Sequence, residues 1–337
     1  MTVLFASHDR CLEHLAGARH PERPDRLRAV CRGARDDVLD GAVTPLEVQP
    51  AGDDDLARVH PRAYLDSLAR YGEEGGGWLD ADTCMSSTSF EVARLAAGAG
   101  LCAIRALREG RGDAAFCAIR PPGHHALSDE AMGFCLLSNV AVSAAALADA
   151  GERVMVFDYD AHHGNGTQAI FYDDPRVLFV SMHQWPLYPG TGAADDTGSG
   201  AGEGFTVNLP FPRSTTGEAY LRAFDEVIVP VAERFAPTWL IISAGFDAHR
   251  DDPLAELALS AGDFAVLTER AKTLVPVGRT IAVLEGGYDL DALQRSTRGV
   301  LAALAGGDDR PEPLTNGGPG SDVVERARSR WVYGDLG

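Results

Sequence analysis

Four short apolar runs recur along the chain, and each stops at a cluster of polar residues. Phe116-Cys117-Ala118-Ile119 gives way to Arg120-Pro121-Pro122-Gly123-His124-His125-Ala126, and Val154-Met155-Val156-Phe157 to Asp158-Tyr159-Asp160-Ala161-His162-His163-Gly164-Asn165-Gly166-Thr167. Trp239-Leu240-Ile241-Ile242-Ser243 leads to Ala244-Gly245-Phe246-Asp247-Ala248-His249, and Ile281-Ala282-Val283-Leu284 to Glu285-Gly286-Gly287-Tyr288-Asp289. Near-continuous apolar runs of this length read as strands buried on both faces. Helical stretches lie between and around them: Glu91 to Glu109, Asn139 to Ala150, Gly217 to Phe235, Ser260 to Leu274 and Leu290 to Ala305. The alternation predicts an α/β fold with one mainly parallel central sheet and helices on both faces. A Gly/Pro/Asp-rich stretch, Gly306 to Ser321, reads as a loop. It leads to a short charged helix, Asp322 to Trp331, whose Val324, Ala327 and Trp331 form a docking stripe. Polar clusters spread from residue 116 to 289 must meet at one place, so residues 1–305 are expected to form one domain. Residues 306–337 would be a loop and docking helix of that domain.

Open α/β sheets place ligand sites at the carboxyl ends of their strands. Residues two apart in an extended segment point the same way, so Asp158, Asp160 and His162 can converge where their strand ends. A lone D-x-D-x-H serves equally well to cap the next helix, but Asp247, just past another strand end, can reach the same point. Two carboxylates and one imidazole make the open three-ligand set of catalytic zinc, although iron or cobalt suits those donors too. His124 and His125, on a turn stiffened by Pro121 and Pro122, are candidates for proton transfer, each tuned by its own partner. Gly286 and Gly287 give the last turn its freedom and present the Tyr288 hydroxyl as an oxyanion donor.

Taken in order, these segments resemble the histone deacetylase superfamily in its arginase-like α/β fold. The likeness is to class II-like bacterial histone deacetylase-like amidohydrolases and acetylpolyamine amidohydrolases. His20-Pro21-Glu22-Arg23-Pro24 with Arg26-Leu27, Val59-His60-Pro61 with Tyr64-Leu65, Asp82-Thr83, Gly133-Phe134-Cys135 and Tyr188-Pro189-Gly190-Thr191-Gly192 are further landmarks. The resemblance runs from about residue 3 to about residue 305. It implies zinc on Asp160, His162 and Asp247, a proton-transfer pair in His124 and His125, and a Tyr288 that polarises the scissile amide. Asp158 would partner His124, and Asn165 would stand behind His125. Phe134 and Tyr188 would wall an acyl-lysine tunnel with Gly133 beside it. A monovalent cation, potassium, would use Asp158, Ser181, Met182 and backbone around Asp160 and His162. The implied activity is deacylation of acetyl-lysine or related acylated amines. The neighbouring alternative is an acetylpolyamine amidohydrolase, whose polyamine-selective members carry glutamate where this chain has Leu254. A catalytically inactive acyl-ligand sensor is a third reading, against which the complete set of ligands, histidines and tyrosine argues. The arginase branch needs a second metal-binding carboxylate where this chain has Gly164, which cannot ligate.

Composition narrows the partners. Thirty basic against 49 acidic residues give a net charge of −19, which argues against binding nucleic acid through its backbone. It suits cationic substrates, though most of it reads as solubilising surface. Glu73, Glu74, Asp80, Asp82, Asp195, Asp196, Asp251 and Asp252 are candidates for an acidic rim. The six cysteines show no CxxC spacing and read as thiols of a reducing compartment. The apolar run Val3 to Ala6 is too short for the core of a signal peptide, and no stretch has the length of a membrane span. The expected location is therefore cytoplasmic, and a homo-oligomer is compatible with all of this.

Overall fold

The structure, a computed structural model, describes residues 1–17 and 19–334. Its strands are β1 (Val3–Ser7), β2 (Val43–Leu46), β3 (Gly76–Trp78), β4 (Cys84–Ser86), β5 (Ala114–Ala118), β6 (Val154–Asp158), β7 (Val177–Gln184), β8 (Thr206–Phe211), β9 (Trp239–Ala244) and β10 (Thr280–Leu284). The α-helices are α1 (Pro24–Ala34), α2 (Asp53–Leu56), α3 (Arg62–Glu73), α4 (Ser89–Arg108), α5 (Asn139–Asp149), α6 (Asn165–Phe171), α7 (Gly217–Ala223), α8 (Val229–Phe235), α9 (Ala261–Ala271), α10 (Leu290–Leu304) and α11 (Ser321–Trp331).

Eight strands form one sheet in the order β2-β1-β5-β10-β9-β6-β7-β8, and every neighbouring pair is parallel. The four strands that end in polar clusters are thus consecutive in its centre. Their ends are also level: Asp158 pairs with Ser243, Ser243 with Val283, and Val283 with Cys117. Both faces are covered, as the apolar runs require. Phe116, Met155 and Phe157 pack with α1, α7 and α9 to α11, while Ala115, Cys117, Val154 and Val156 pack with α3 to α5.

Three features differ from or extend the sequence expectation. The stretch from Gly217 to Phe235 is not one regular helix, because a π-turn at Phe224–Ile228 separates α7 from α8. Pro230 has no N–H to offer the Glu226 carbonyl, and the Val229 N–H reaches back to Phe224 O instead. The run Val3 to Ala6 is part of β1, paired on both sides. Helix α11 lies against the body of the protein with Val323, Val324, Ala327 and Trp331 buried. Each of the larger of these contributes on the order of 1.5–3 kcal/mol by leaving water. Residues 335–337 of the expected C-terminal segment lie outside the described residues.

Candidate active site

The chain leaves β6 through two carboxylate-to-backbone turns. Asp158 Oδ1 accepts the N–H of Asp160 (3.0 Å), and Asp160 Oδ1 accepts the N–H of His162 (2.9 Å). These turns end the extended geometry that the D-x-D-x-H spacing suggested. They send Asp158 away from the other two, so the converging set is Asp160, His162 and Asp247. His162 Nδ1 lies 3.1 Å from Asp160 Oδ1 and 3.0 Å from Asp247 Oδ2. One donor atom from each residue lies within 4.8 Å of the others, and all three residues are buried. Asp247 Oδ1 also accepts the Ala161 N–H at 2.7 Å, and Asp160 Oδ2 that of Gly286 at 2.8 Å.

This set fits a metal ion on two observations. Two fully buried carboxylates facing one imidazole require positive charge between them. Burial alone favours a neutral His162, yet Asp247 and Asp160 raise it to about 10. Burial likewise opposes ionisation of Asp160, but His124 and His162 hold it well below the usual carboxylate range; burial and the Asp160 charge push Asp247 up. The second observation is steric. A Cβ on Gly245 would lie 1.9 Å from Asp160 Oδ2, and one on Gly286 2.1 Å from Asp247 Oδ2. Only glycine leaves both carboxylates free to turn inward.

Asp158 turns to the paired histidines. Its Oδ2 accepts from His124 Nδ1 at 3.0 Å, while His125 Nδ1 donates to Asn165 Oδ1 at 2.8 Å. The two rings lie 4.0 Å apart, but their surroundings separate them. Burial works against a charged His124, but Asp160 and Asp158 outweigh it and raise the ring to about 10. His125 is lowered well below its ordinary value by burial and by the charges of His124 and His162. Beneath the turn, buried Glu285 accepts the N–H groups of Gly123 (2.6 Å) and His124 (3.0 Å), and burial raises it to about 7.

A cavity of about 200 Å³ opens above these groups, lined by Asp82, His125, Gly133, Phe134, His162, Leu187, Tyr188, Leu254 and Tyr288. The edge-on contacts of Tyr188 with His125 (5.1 Å) and of Phe134 with Tyr288 (5.9 Å) link its walls to its base. Phe134 holds a left-handed φ of 69°, an uncommon conformation for a bulky side chain. Its N–H is anchored to Thr83 Oγ1 at 3.1 Å. A Cβ on Gly133 would strike the His125 ring. Tyr288 lies under the guanidinium of buried Arg26, 4.8 Å from the ring centroid. Arg26 is paired in turn with Glu22, which also binds Arg120.

The remaining expected site residues are placed less distinctively. Ser181 stands beside Asp158 on β7, its hydroxyl bonded to His183 Nδ1, and the Met182 carbonyl accepts from Tyr220. Nothing in these bonds argues for a potassium ion. Of the expected rim, Asp82 lines the cavity, but Asp195 pairs with Arg330 and Asp251 with Arg295. Asp252 is buried rather than part of the rim: its carboxylate is drawn inward by the backbone N–H groups of Leu254 and Tyr288. A second group, His249, Asp251 and Glu312, has its carboxylates paired with Arg250 and Arg295. It reads as a structural clamp. Sequence reasoning assigned no role to Glu285 or Arg26 and placed Asp252 on the rim. The position of Glu285 directly after an apolar strand was the one available signal.

Residues 20–304 match the family model described as the histone deacetylase domain. A probable deacetylase of Archaeoglobus fulgidus is 42% identical over 315 residues, 91% of this chain and 88% of that one. A histone deacetylase-like amidohydrolase of Pseudomonas aeruginosa is 39% identical over 279 residues, 81% of this chain and 73% of that one. A crystal structure of the HDA15 HD domain superposes with a TM-score of 0.90 at 35% identity, covering 98% of this chain and 96% of that one.

Proposed function

Because this chain belongs to the histone deacetylase family, we propose that it is a zinc-dependent deacylase acting on acetyl-lysine or related acylated amine side chains. The observation that carries the reading is the meeting of Asp160, His162 and Asp247 at the base of a cavity that also presents His125 and Tyr288. Zinc held by those three residues would supply Lewis acidity at the closed end of the cavity.

The protein's own groups do the rest. Asn165 Oδ1 accepts a hydrogen bond from the Nδ1–H of His125, which leaves Nε2 of a neutral ring free to accept the proton of the attacking water. Burial and the adjacent His124 charge keep the His125 ring neutral before water attacks. His124, held cationic against Asp158, stabilises the negative charge that develops on oxygen as water adds to the carbonyl, and donates to the leaving amine. The Tyr288 hydroxyl donates to the carbonyl oxygen as it gains charge. Phe134 and Tyr188 flank the aliphatic stem of the substrate.

Leu254, 36% exposed at the mouth, supports acyl-lysine over polyamine substrates, since an apolar side chain gives a second ammonium nothing to pair with. Asp82 in the cavity lining is the feature that favours the polyamine alternative. Potassium at Asp158, Ser181 and Met182 belongs to the same proposal through the family resemblance alone. The deciding experiment is kcat/KM on acyl-lysine peptides, acetylspermidine and acetylputrescine. Higher efficiency on a peptide is expected. Acetylpolyamine cleavage at least tenfold more efficient than that of any peptide would overturn the preference.

A further inference from the structure

Tyr288 sits in a turn that its own sequence does not hold. Gly287 before it adopts φ +115°, a region where glycine is permissive and imposes little direction on the next residue. Yet the peptide unit between the two residues is gripped at both ends. Its carbonyl, on Gly287, accepts from Arg26 Nε at 2.6 Å. Its N–H, on Tyr288, donates to Asp252 Oδ2 at 2.6 Å, and the same oxygen takes the Asp289 N–H at 3.3 Å. The other carboxylate oxygen of Asp252 accepts the Leu254 N–H at 2.9 Å. One buried carboxylate, 7% exposed, therefore ties the loop that carries Leu254 to the turn that carries Tyr288. Both of those residues line the cavity.

Building on the deacylase reading, we propose that Asp252 is a positioning residue for Tyr288: it fixes the Gly287–Tyr288 peptide plane, and with it the direction of the phenol. Asp252 touches no reacting atom and acts only through the tyrosine. Charge-assisted bonds from a carboxylate to backbone N–H groups are short and strong. Without this one, the flexible glycines let the ring drift. A displacement of about 1 Å at a catalytic group costs on the order of 10²-fold in rate.

The test is a double-mutant cycle with Tyr288→Phe, because two residues that act as one unit are not additive. Asp252→Ala alone is expected to lower kcat roughly 10–100-fold with bound zinc unchanged. In the Tyr288→Phe background, where no hydroxyl remains to be aimed, it should cost less than about threefold more. Wild-type kcat in folded Asp252→Ala would overturn the inference. So would losses that multiply, because a general loosening of the fold acts on both backgrounds alike. Should the alanine variant fail to fold, Asp252→Asn serves: it keeps one acceptor but turns an amine toward one loop. The same non-additivity is expected of it, and multiplicative losses again overturn the inference. If Tyr288→Phe itself leaves turnover untouched, the role of Tyr288 falls and this inference with it. An intact Tyr288→Phe effect with multiplying losses removes the Asp252 inference alone.

Discussion

Replacing Gly286 by Ala adds one methyl group, and the structure gives its consequence in ångströms. The new Cβ would lie 2.1 Å from Asp247 Oδ2 and 2.6 Å from Asp160 Oδ2, whereas real Cβ contacts stay beyond 3.0 Å. The Asp247 oxygen must therefore retreat by at least 0.9 Å (3.0 − 2.1) and that of Asp160 by 0.4 Å (3.0 − 2.6). Metal–ligand distances tolerate only about 0.2 Å, so both carboxylates leave their coordinating positions. Gly286, unlike Gly287, is not in the left-handed region, and the backbone accepts alanine without strain. The damage is confined to the ligand set. Loss of a group that merely orients a metal's ligands costs about 10–100-fold in affinity, and displacing two ligands should exceed that. We expect zinc affinity to fall by at least about 10²-fold, near 2.8 kcal/mol at 1.4 kcal/mol per decade. Competitive titration against a chromophoric chelator measures this, with circular dichroism to establish that the variant is folded. Zinc affinity within threefold of wild type, in a folded and active variant, would show that Asp160 and Asp247 are not jointly coordinating.

Asp247→Ala should lose zinc and activity together while keeping its circular dichroism spectrum; stoichiometric zinc by elemental analysis in a folded variant contradicts the ligand assignment. Tyr288→Phe should retain zinc yet turn over about 10²–10³-fold more slowly, the usual loss for one oxyanion donor. Near-normal turnover would mean that another group polarises the carbonyl. Leu254→Glu should raise kcat/KM on acetylspermidine relative to an acetyl-lysine peptide, and an unchanged ratio removes Leu254 from the specificity argument.

The strands that carry the site were readable because burial on both faces leaves no room for polar residues. Val154-Met155-Val156-Phe157 and Trp239-Leu240-Ile241-Ile242 have no alternation to confuse the reading. The outer strands were harder. β2 and β8 contain Pro45 and Pro210, tolerated only because an edge strand has one side free of partners. β7 opens on the apolar run Val177-Leu178-Phe179-Val180, but Ser181, His183 and Gln184 dilute that signal although the whole strand is buried. Within the site, residue types and spacing indicated Asp160, His162 and Asp247, whereas the pairing of Asp158 with His124 was expected from the family resemblance alone and not from spacing. Asp252 and Glu285 were illegible for a different reason. A carboxylate satisfied by backbone N–H groups from distant loops looks, in sequence, the same as one in water.

The central place of β10 in the sheet has a consequence for how the protein is made. Strands β5 and β9 are neighbours only through β10, the last strand of the chain. At synthesis rates of about 5–20 residues per second, the roughly 160 residues between Ala118 and Thr280 take on the order of 10–30 s to emerge. Throughout that time β5 lacks a partner on its inner side, and an unpaired strand is a template for association with other chains. No fragment that stops short of Leu284 can close the sheet, whereas the loop after α10 joins a finished one. A nascent chain is thus both aggregation-prone and without hydrolytic power until β10 has been translated.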